Sequence, residues 1–331
     1  MKDIMKKYCF VGVVGVFLFA GLIFMATDSL KTDVKAKQTE DGQDVVFSYD
    51  GKDYTADQMF DEVYETLGIG AIIPVLELEV YRDAMEVSKA IQTDAKTKTT
   101  NIINSLKQEY GEDWEFSLDR LLVQSGYITK TGAAGFEDYL TIMEVRQVIE
   151  KEYVKANPQS YKAYMEEQKP RLISHILIKM ADTDNHTAEE QEKFDKAKAA
   201  LSESGAVFST VAAAHSDDGS AQNGGSLGLA TTESIKQYVQ EFQDQIYTVN
   251  KNETTEWFTT EYGYHIIRVD ATDIESFEKL NFDIFQTIFE ANPKILLDIT
   301  WDQIEKQGIS FGKDEKLNAA IKEHYTAKEG N

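Results

Sequence analysis

Cysteine, proline and positive charge are scarce in this sequence of 331 residues, which excludes an internal disulfide and a proline-rich linker and gives a large negative net charge. The single cysteine, Cys9, cannot form a disulfide within the chain, so cysteine usage says nothing about the redox environment. The 4 prolines are too few for a proline-rich linker between domains. Lysine and arginine total 34 against 57 acidic residues, which gives a net charge of −23.

The excess of negative charge bears on the choice of partner. Nucleic-acid-binding proteins need clusters of lysine and arginine to meet phosphates, so we predict no nucleic-acid partner. One interpretation of the charge is a solvated, self-repelling surface that keeps the protein soluble outside the cell. A bias toward basic client proteins or bound cations is the alternative.

Motifs of several catalytic and ligand-binding classes are missing. The hydrolase motif Gly-x-Ser-x-Gly is absent, and the Gly-Ser-Leu-Gly run at 225–228 lacks its spacing. No Lys-Ser or Lys-Thr pair follows these glycines, which excludes a phosphate loop. His175, His215 and His265 have no partner at the i, i+4 spacing of a helical zinc site. We therefore predict neither a metal nor a cofactor.

The longest apolar run lies near the N-terminus. Residues 8–27 carry no charge and follow several lysines. About 20 apolar residues span a bilayer core as a helix, and basic residues before the span favour a cytoplasmic N-terminus. The run exceeds the ~7–15 residues of a signal-peptide core and has a bulky residue three before any cut after Ala26. We expect residues 1–30 to be a membrane anchor with the rest outside the cytoplasm, and a cleaved signal peptide is the alternative.

The segment after this run is first polar and without periodicity, and it then shows the patterns of a strand and of a helix start. Residues 31–44 are polar and charged, which predicts a flexible tether. A strand is predicted over Val45–Tyr49, followed by a turn at 50–51. Thr55 and Gln58 then have the spacing of a helix capping box. A helical region therefore begins close to residue 55.

Both flanks of the chain have helical periodicity. Apolar residues at helical spacing predict helices over 74–90, 117–124, 136–155, 277–289 and 293–307. The C-terminal helices carry more apolar side chains than one short helical pair can bury. We therefore predict one helical lobe built from residues 45–170 and 271–331, which leaves an apolar groove or a surface for self-association as a homodimer.

Two strand-like segments each contain a histidine. Residues 172–179 place His175 in an apolar, β-branched run, and residues 262–269 do the same for His265. A titratable ring in such a setting costs free energy unless it is hydrogen-bonded. Two of them in similar strands indicate a shared buried polar site.

These strands belong to an ordered set of motifs. His-Ile-Leu-Ile-Lys at 175–179 is followed by Ser-Asp-Asp at 216–218 and by Gly-Gly-Ser-Leu-Gly at 224–228. Glu-Phe at 241–242, Phe-Thr-Thr at 258–260 and Gly-Tyr-His-Ile-Ile at 263–267 come next. In this order the motifs resemble the parvulin family of peptidyl-prolyl cis/trans isomerases, over about residues 171–270.

The resemblance implies a fold and a site. The fold class is α+β, with a four-stranded antiparallel sheet and surrounding helices at 171–270, inserted in an all-α, chaperone-like lobe. The implied catalytic residues are His175, Asp218, Thr260 and His265. The implied substrate-binding residues are Leu227, Tyr238, Phe242, Phe258 and Tyr262. In the family the two histidines bond to each other and to a nearby hydroxyl, for which Thr260 is the first candidate and Tyr262 the second.

Purely structural roles for the same residues stay open. The histidines fit a structural scaffold, Leu227 and Phe242 fit a plain core, and Asp218 fits the cap of the turn before Gly219. Tyr238 stands where the family commonly has methionine.

The resemblance implies an extracytoplasmic foldase that isomerises Xaa-Pro bonds in unfolded exported polypeptides, with the lobe binding clients. The alternative is a holdase chaperone whose parvulin module is inactive. No Lys/Arg cluster follows Lys179, so specificity for phosphorylated residues is not expected.

Overall fold

The computed structural model describes residues 37–312 and 314–327, in two compact units. One unit runs to Glu152 and resumes at Leu296, and the other runs from Tyr153 to Ile295. The predicted anchor at 1–30 lies outside the described residues, as does the first part of the predicted tether. Within the described ranges, no helix has the length and hydropathy needed to cross a bilayer.

The first unit begins with a β-hairpin and a capped helix. Strands β1 (Val45–Tyr49) and β2 (Lys52–Thr55) pair antiparallel, which confirms the predicted strand and turn. The helix Ala56–Leu67 follows, and the Thr55 side chain accepts the backbone N–H of Gln58 while the Gln58 side chain accepts that of Thr55. The predicted capping box is confirmed.

Helices account for most of the remaining structure. Before the large sheet they are Ala56–Leu67, Ile73–Arg82, Lys89–Tyr110, Trp114–Gln124, Gly132–Ala156 and Lys162–Gln168. Between its strands they are Ala188–Ser202, Phe208–His215 and Gln240–Ile246. After it they are Ile274–Lys279, Ile284–Ala291, Lys294–Gln307 and Glu315–Thr326.

Two predicted helices are wrong in their limits. The helix predicted over 74–90 ends at Arg82, and a new helix begins at Lys89 with Ser88 as its N-cap. The helix predicted over 277–289 is two helices, 274–279 and 284–291, because the chain turns at Asn281 with a φ of 55°. A left-handed residue cannot continue an α-helix.

Residues from both flanks share the core of the first unit. The buried hydroxyls of Tyr81 and Thr300 lie 3.0 Å apart. The side chain of Gln307 donates to the backbone carbonyl of Val80 at 2.8 Å. These bonds join the helix Ile73–Arg82 to the helix Lys294–Gln307, more than 200 residues later in the chain.

The second unit contains a four-stranded antiparallel sheet. Its strands are β3 (Arg171–Lys179), β4 (Ser226–Ala230), β5 (Phe258–Thr260) and β6 (Gly263–Ala271). Their order is β4-β3-β6-β5, so β3 and β6 are the adjacent central strands. The predicted sheet, with His175 and His265 on its central strands, is confirmed.

Strand alternation gives the sheet two faces with separate apolar cores. On one face Ile176, Ile178 and Ile266 pack with helices that include Phe194 and Phe208. On the other face the buried residues, besides the two histidines, include Ile173, Phe242, Ile267 and Val269.

The helix that follows β3 matches its sequence signal. In the sequence, Thr187 and Glu190 have the spacing of a capping box, which predicts a helix that runs to near Ser204 and stops at Gly205. In the structure these two residues form the capping box, and the helix ends at Ser202. Gly205 has a φ of 83°, which a glycine adopts at little cost.

Candidate functional site

The central strands bring the two histidines to the same face of the sheet. His175 on β3 is opposite Ile267 on β6, and Leu177 on β3 is opposite His265. Both imidazole rings are buried, with their centroids 6.0 Å apart. A shared site requires the two rings to be within hydrogen-bond reach through at most one intermediary, and this separation meets that requirement.

His265 is bonded to a hydroxyl on the neighbouring strand β5. Its Nε2 lies 2.8 Å from Oγ1 of Thr260, and Thr260 is also buried. The same Oγ1 accepts the backbone N–H of Tyr262 at 3.0 Å. The Tyr262 side chain is 53% exposed, so Thr260, the first candidate, is the hydroxyl that meets the histidine.

His175 faces a carboxylate instead of the other histidine. Its Nε2 lies 3.0 Å from Oδ1 of Asp218, an ion-pair distance. Nδ1 and Nε2 of His175 and Nδ1 of His265 have no partner with hydrogen-bond geometry among the described residues, so the contact between His175 and Asp218 is a close approach of the two groups. The direct histidine–histidine hydrogen bond that the resemblance implied is therefore absent here. The two strands hold the rings close, but each ring uses its Nε2 toward a different partner.

Asp218 has two roles in the geometry. Its Oδ1 also accepts the backbone N–H of Ser220 at 2.8 Å, so Asp218 caps the turn, which is the structural role considered in the sequence analysis. Partial burial by itself would raise the pKa of Asp218, but its bonds to His175 and Ser220 outweigh burial and lower that pKa below its usual value. Asp218 is therefore ionised at neutral pH.

His265 is held in its neutral form. Burial and then the proximity of His175 lower its pKa, and the negative charge of Asp218 opposes them only partly, so the pKa falls to about 4. At neutral pH the site therefore combines a carboxylate with an uncharged ring.

Aromatic side chains form an apolar wall around these polar groups. The buried ring of Phe242 meets His175 and His265 edge-on, at centroid distances of 5.6 and 5.7 Å. Phe258 stacks on His265 at 5.4 Å, and Tyr238 lies 4.8 Å from Phe242. Burial and then the charge of Asp218 raise the pKa of the Tyr238 phenol, so it stays protonated.

Leu227 completes the wall from strand β4. It is half-buried and packs on the same apolar cluster as Tyr238 and Phe258. The structure thus gathers His175, His265, Thr260, Asp218, Leu227, Tyr238, Phe242 and Phe258 on one face of the sheet. Of the predicted site residues, Tyr262 alone joins this cluster only through its backbone N–H, as far as the described hydrogen bonds show.

Gly225 allows the chain to approach β3 closely beside His175. Its carbonyl accepts the N–H of His175 at 2.8 Å, and a Cβ built at this position would lie 2.3 Å from the His175 carbonyl oxygen. Its φ of 82° is also unfavourable for other residues. The glycine motif therefore positions the chain beside His175.

Sequence reasoning missed one polar residue next to the site. Asp217 accepts the backbone N–H of Lys179 at 3.0 Å and pairs with Lys193. The motif Ser-Asp-Asp contained it, but only Asp218 was assigned a role. Among the described residues, no group of three or more His, Cys, Asp and Glu gathers as a metal site.

The arrangement suits a neutral substrate that changes shape without changing covalent bonds. An apolar wall of this kind is suited to holding an apolar ring, and the few polar groups around it are held by the sheet. The Thr260 hydroxyl is at nucleophile–base distance from His265. However, Thr260 is only 5% exposed, and Nδ1 of His265 has no orienting partner among the described residues, so the pair does not form an accessible catalytic triad.

Comparison with known proteins gives consistent matches. Residues 161–273 match a family model described as a PPIC-type PPIASE domain. The foldase protein PrsA of Geobacillus sp. (strain WCH70) is 30% identical over 258 residues, which cover 75% of this chain and 80% of that protein. The foldase protein PrsA of Bacillus subtilis (strain 168) is 27% identical over 231 residues, 68% of each chain.

A solved structure is also similar. The crystal structure of PrsA from Bacillus subtilis aligns with a TM-score of 0.36 and 21% identity, over 84% of this chain and 98% of that chain. The match to the Geobacillus protein, with its identity and coverage, decides the family. The chain belongs to the PrsA foldase family and carries a parvulin-type peptidyl-prolyl cis/trans isomerase domain.

Proposed function

We propose that this foldase works outside the cytoplasm and isomerises Xaa-Pro bonds in unfolded exported polypeptides at the face of the sheet that carries His175 and His265. The observation that supports this most directly is the Asp218 carboxylate, which lies 3.0 Å from His175 and beside the aromatic wall that Phe242 forms against both histidines.

The physical problem is rotation about a partial double bond. The barrier to rotation of a peptide C–N bond is ~18–20 kcal/mol, and uncatalysed prolyl isomerisation takes tens of seconds or longer. In the twisted transition state resonance is lost and the nitrogen becomes pyramidal and more basic. A site that binds the twisted amide better than either planar form lowers the barrier without a cofactor.

We assign the residues accordingly. Phe242, Leu227 and Phe258 hold the proline ring and exclude water, and Tyr238 closes the wall with its protonated hydroxyl toward the rim. Asp218 lies beside the twisting amide and stabilises its altered charge distribution. His175 holds Asp218 in place, and His265 with Thr260 maintains the spacing of strands β5 and β6. Tyr262, exposed at the rim, meets the residues flanking the proline.

A protease-coupled assay on a Xaa-Pro peptide tests this proposal. Full-length protein should accelerate isomerisation, and the Asp218→Asn variant should lose at least about tenfold in kcat/KM, since it removes a charge at the transition state. A matched control is Asp184→Asn, an exposed aspartate in the loop after β3. Equal rates for Asp218→Asn and the wild type would reject the assignment of Asp218.

We also propose that residues 1–30 anchor the protein in the membrane by one span, with a cleaved signal peptide as the alternative. Protease added to intact, wall-stripped cells should then degrade the large domain. Protection of the domain would reverse the orientation, and release of a shortened soluble form would favour the cleaved signal peptide.

A holdase function of the helical lobe is the second candidate. Its support is the exposure of large apolar side chains in the first unit, where Phe116 is 73% and Tyr49 is 80% exposed. Tyr238 in place of the family's methionine favours the same alternative. Suppressed aggregation of an unfolded client, with no acceleration of prolyl isomerisation, would decide for the holdase.

A homodimer through the lobe is our remaining proposal for partners. The helix Ala56–Leu67 is amphipathic, yet none of its residues is buried in the described structure. Its half-exposed apolar residues, which include Met59, Phe60 and Val63, are available to a second copy. Sedimentation equilibrium should show a mass that rises with concentration, and a constant monomer mass would reject the dimer.

A further inference from the structure

Strand β3 loses its neighbour β4 partway along its length. The pairing of β3 with β4 extends over residues 171–174, and the N–H of His175 is met by Gly225. Beyond this point, residues 176–179 have β6 on one side only. Backbone groups at such an open edge need other partners.

The segment 216–218 supplies these partners. The N–H of Leu177 donates to Oγ of Ser216 at 3.1 Å, and the N–H of Asp217 donates to the carbonyl of Leu177 at 2.7 Å. One carboxylate oxygen of Asp217 accepts the N–H of Lys179 at 3.0 Å. Backbone and side-chain atoms of this segment thus replace the missing strand.

The other carboxylate oxygen of Asp217 pairs with Lys193 on the helix Ala188–Ser202. The side chain of Asp217 is 19% exposed, whereas that of Lys193 is 48% exposed. Asp217 therefore connects three elements: the open edge of β3, the helix packed on the opposite face of the sheet, and the segment that carries Asp218.

We infer that Asp217 is a positioning residue, which holds the segment 216–218 against β3 so that Asp218 stays at ion-pair distance from His175. This inference rests on the proposed role of Asp218. The next residue along the chain carries the functional carboxylate, and its Oδ1 is 3.0 Å from His175 Nε2. A displacement of about 1 Å at a catalytic group can cost as much as 100-fold in rate, so a firm attachment one residue away matters.

The alternative is that Asp217 only stabilises the fold. Activity alone does not separate the two roles, because a damaged fold also lowers activity. A double-mutant cycle does separate them, since residues that act through one group are not additive in their effect on kcat/KM.

The experiment measures kcat/KM for a Xaa-Pro peptide with full-length protein. The variants are Asp217→Ala, Asp217→Asn, Lys193→Met and Lys193→Arg, alone and with Asp218→Asn. Lys196→Met is the matched control, because Lys196 lies on the same helix and pairs only with Glu192 in the described structure. Thermal melts of each variant report stability separately.

Asp217→Ala should lower kcat/KM at least about fivefold, because both interactions of the Asp217 carboxylate are lost and only the bonds to Leu177 still hold the segment. Asp217→Asn keeps an acceptor for the N–H of Lys179, so its kcat/KM should fall less than that of Asp217→Ala. It also provides a second readout if the alanine variant does not fold. Lys193→Met should lower kcat/KM about twofold. Lys193→Arg, which keeps the positive charge, should have the wild-type kcat/KM, and Lys196→Met should not change it. In the Asp218→Asn background, the substitutions of Asp217 should cause no further loss.

Two results would overturn the inference while leaving the proposed function intact. One is wild-type kcat/KM for both substitutions of Asp217 when Asp218→Asn is impaired. The other is that the substitutions of Asp217 lower kcat/KM by the same factor in the Asp218→Asn background as in the wild type, which would mean that Asp217 does not act through Asp218. If Asp218→Asn itself has wild-type activity, the proposed role of Asp218 is rejected, and the positioning role with it.

Discussion

At the scale of single residues, the site depends on two groups whose surroundings favour opposite charge states. His265 sits in an apolar environment that disfavours its protonated form, with His175 adding to the effect. Asp218, at the edge of the same cluster, is held ionised by its bonds to His175 and Ser220. The uncharged ring and the charged carboxylate lie on the same face of the sheet, so the negative charge of this cluster is concentrated at Asp218.

The pH dependence of stability follows from the lowered pKa of His265. Below its ordinary value of 6.5 the unfolded chain binds a proton that the folded site does not accept until about pH 4. Stability should therefore fall as the pH drops from 6.5 to 4, by on the order of 3 kcal/mol from this residue. Asp218 acts in a different window, because its lowered pKa contributes stability that is fully present above 3.8 and is lost only as the pH falls below that value.

Urea unfolding of the wild type and of His265→Gln across this pH range checks the prediction. The difference between the two curves isolates the histidine from the other titrating groups. Parallel curves from pH 6.5 to 4 would mean that His265 is not held neutral by the fold.

Gly225→Ala should destabilise the second unit by roughly 2–4 kcal/mol. Its Cβ would meet the His175 carbonyl, and its φ of 82° is strained for alanine. Gly219→Ala is the control, since a Cβ there meets nothing within 4 Å and its φ is not positive. Thermal unfolding of both variants measures the difference, and equal melting temperatures would contradict the close approach of this loop to β3.

At the scale of elements, some helices could be predicted from the sequence and others could not, of which Lys89–Tyr110 is the longest. Thr55 and Thr187 gave correct helix starts because a capping box is a local signal. The helix Lys89–Tyr110 was missed because it contains several threonines, which have low helix propensity. In the structure, hydroxyls such as that of Thr99 donate to the carbonyl four residues earlier, so they are satisfied within the helix.

The candidate site was more predictable than the helix limits. Ordered motifs identified His175, His265 and Thr260, and the sheet brings these residues together. Asp217 was missed because two adjacent aspartates look equivalent in a sequence. Only the three-dimensional structure shows that one carboxylate meets Lys193 and the other meets His175.

The capping box before the helix Ala188–Ser202 gives a prediction for this element. Thr187→Ala removes the acceptor for the N–H of Glu190 and should lower the free energy of unfolding of the second unit by about 1 kcal/mol. Thr187→Ser keeps the hydroxyl and should stay within a few tenths of a kcal/mol of the wild type. Urea unfolding of both variants measures this, and a neutral alanine variant would show that the cap contributes nothing.

At the scale of the whole molecule, the first unit is assembled from distant parts of the chain. Tyr81 and Thr300 are 219 residues apart in sequence but share a buried hydrogen bond. Tyr325, also buried, lies within 3.4 Å of the Glu77 carboxylate. The stability of the N-terminal helices therefore depends on residues after the isomerase domain.

A chain that ends after Ile295 should lose the cooperative unfolding of its first unit, because the buried contacts from 296 onward disappear. The second unit keeps its sheet and both apolar cores and should still fold. Circular dichroism and thermal melts measure the loss, with a chain that ends at Ala327 as control. Unchanged helical content and melting of the N-terminal part would show that the two flanks are independent.

The most direct test of the central claim is prolyl exchange measured by NMR on a Xaa-Pro peptide whose cis and trans forms give separate signals. With catalytic amounts of full-length protein, exchange cross-peaks should appear within a second, whereas the uncatalysed bond takes tens of seconds or more. With Asp218→Asn at the same concentration, the exchange rate should fall at least about tenfold. Exchange at the uncatalysed rate with the wild type, or at the wild-type rate with Asp218→Asn, would contradict the assignment of this site.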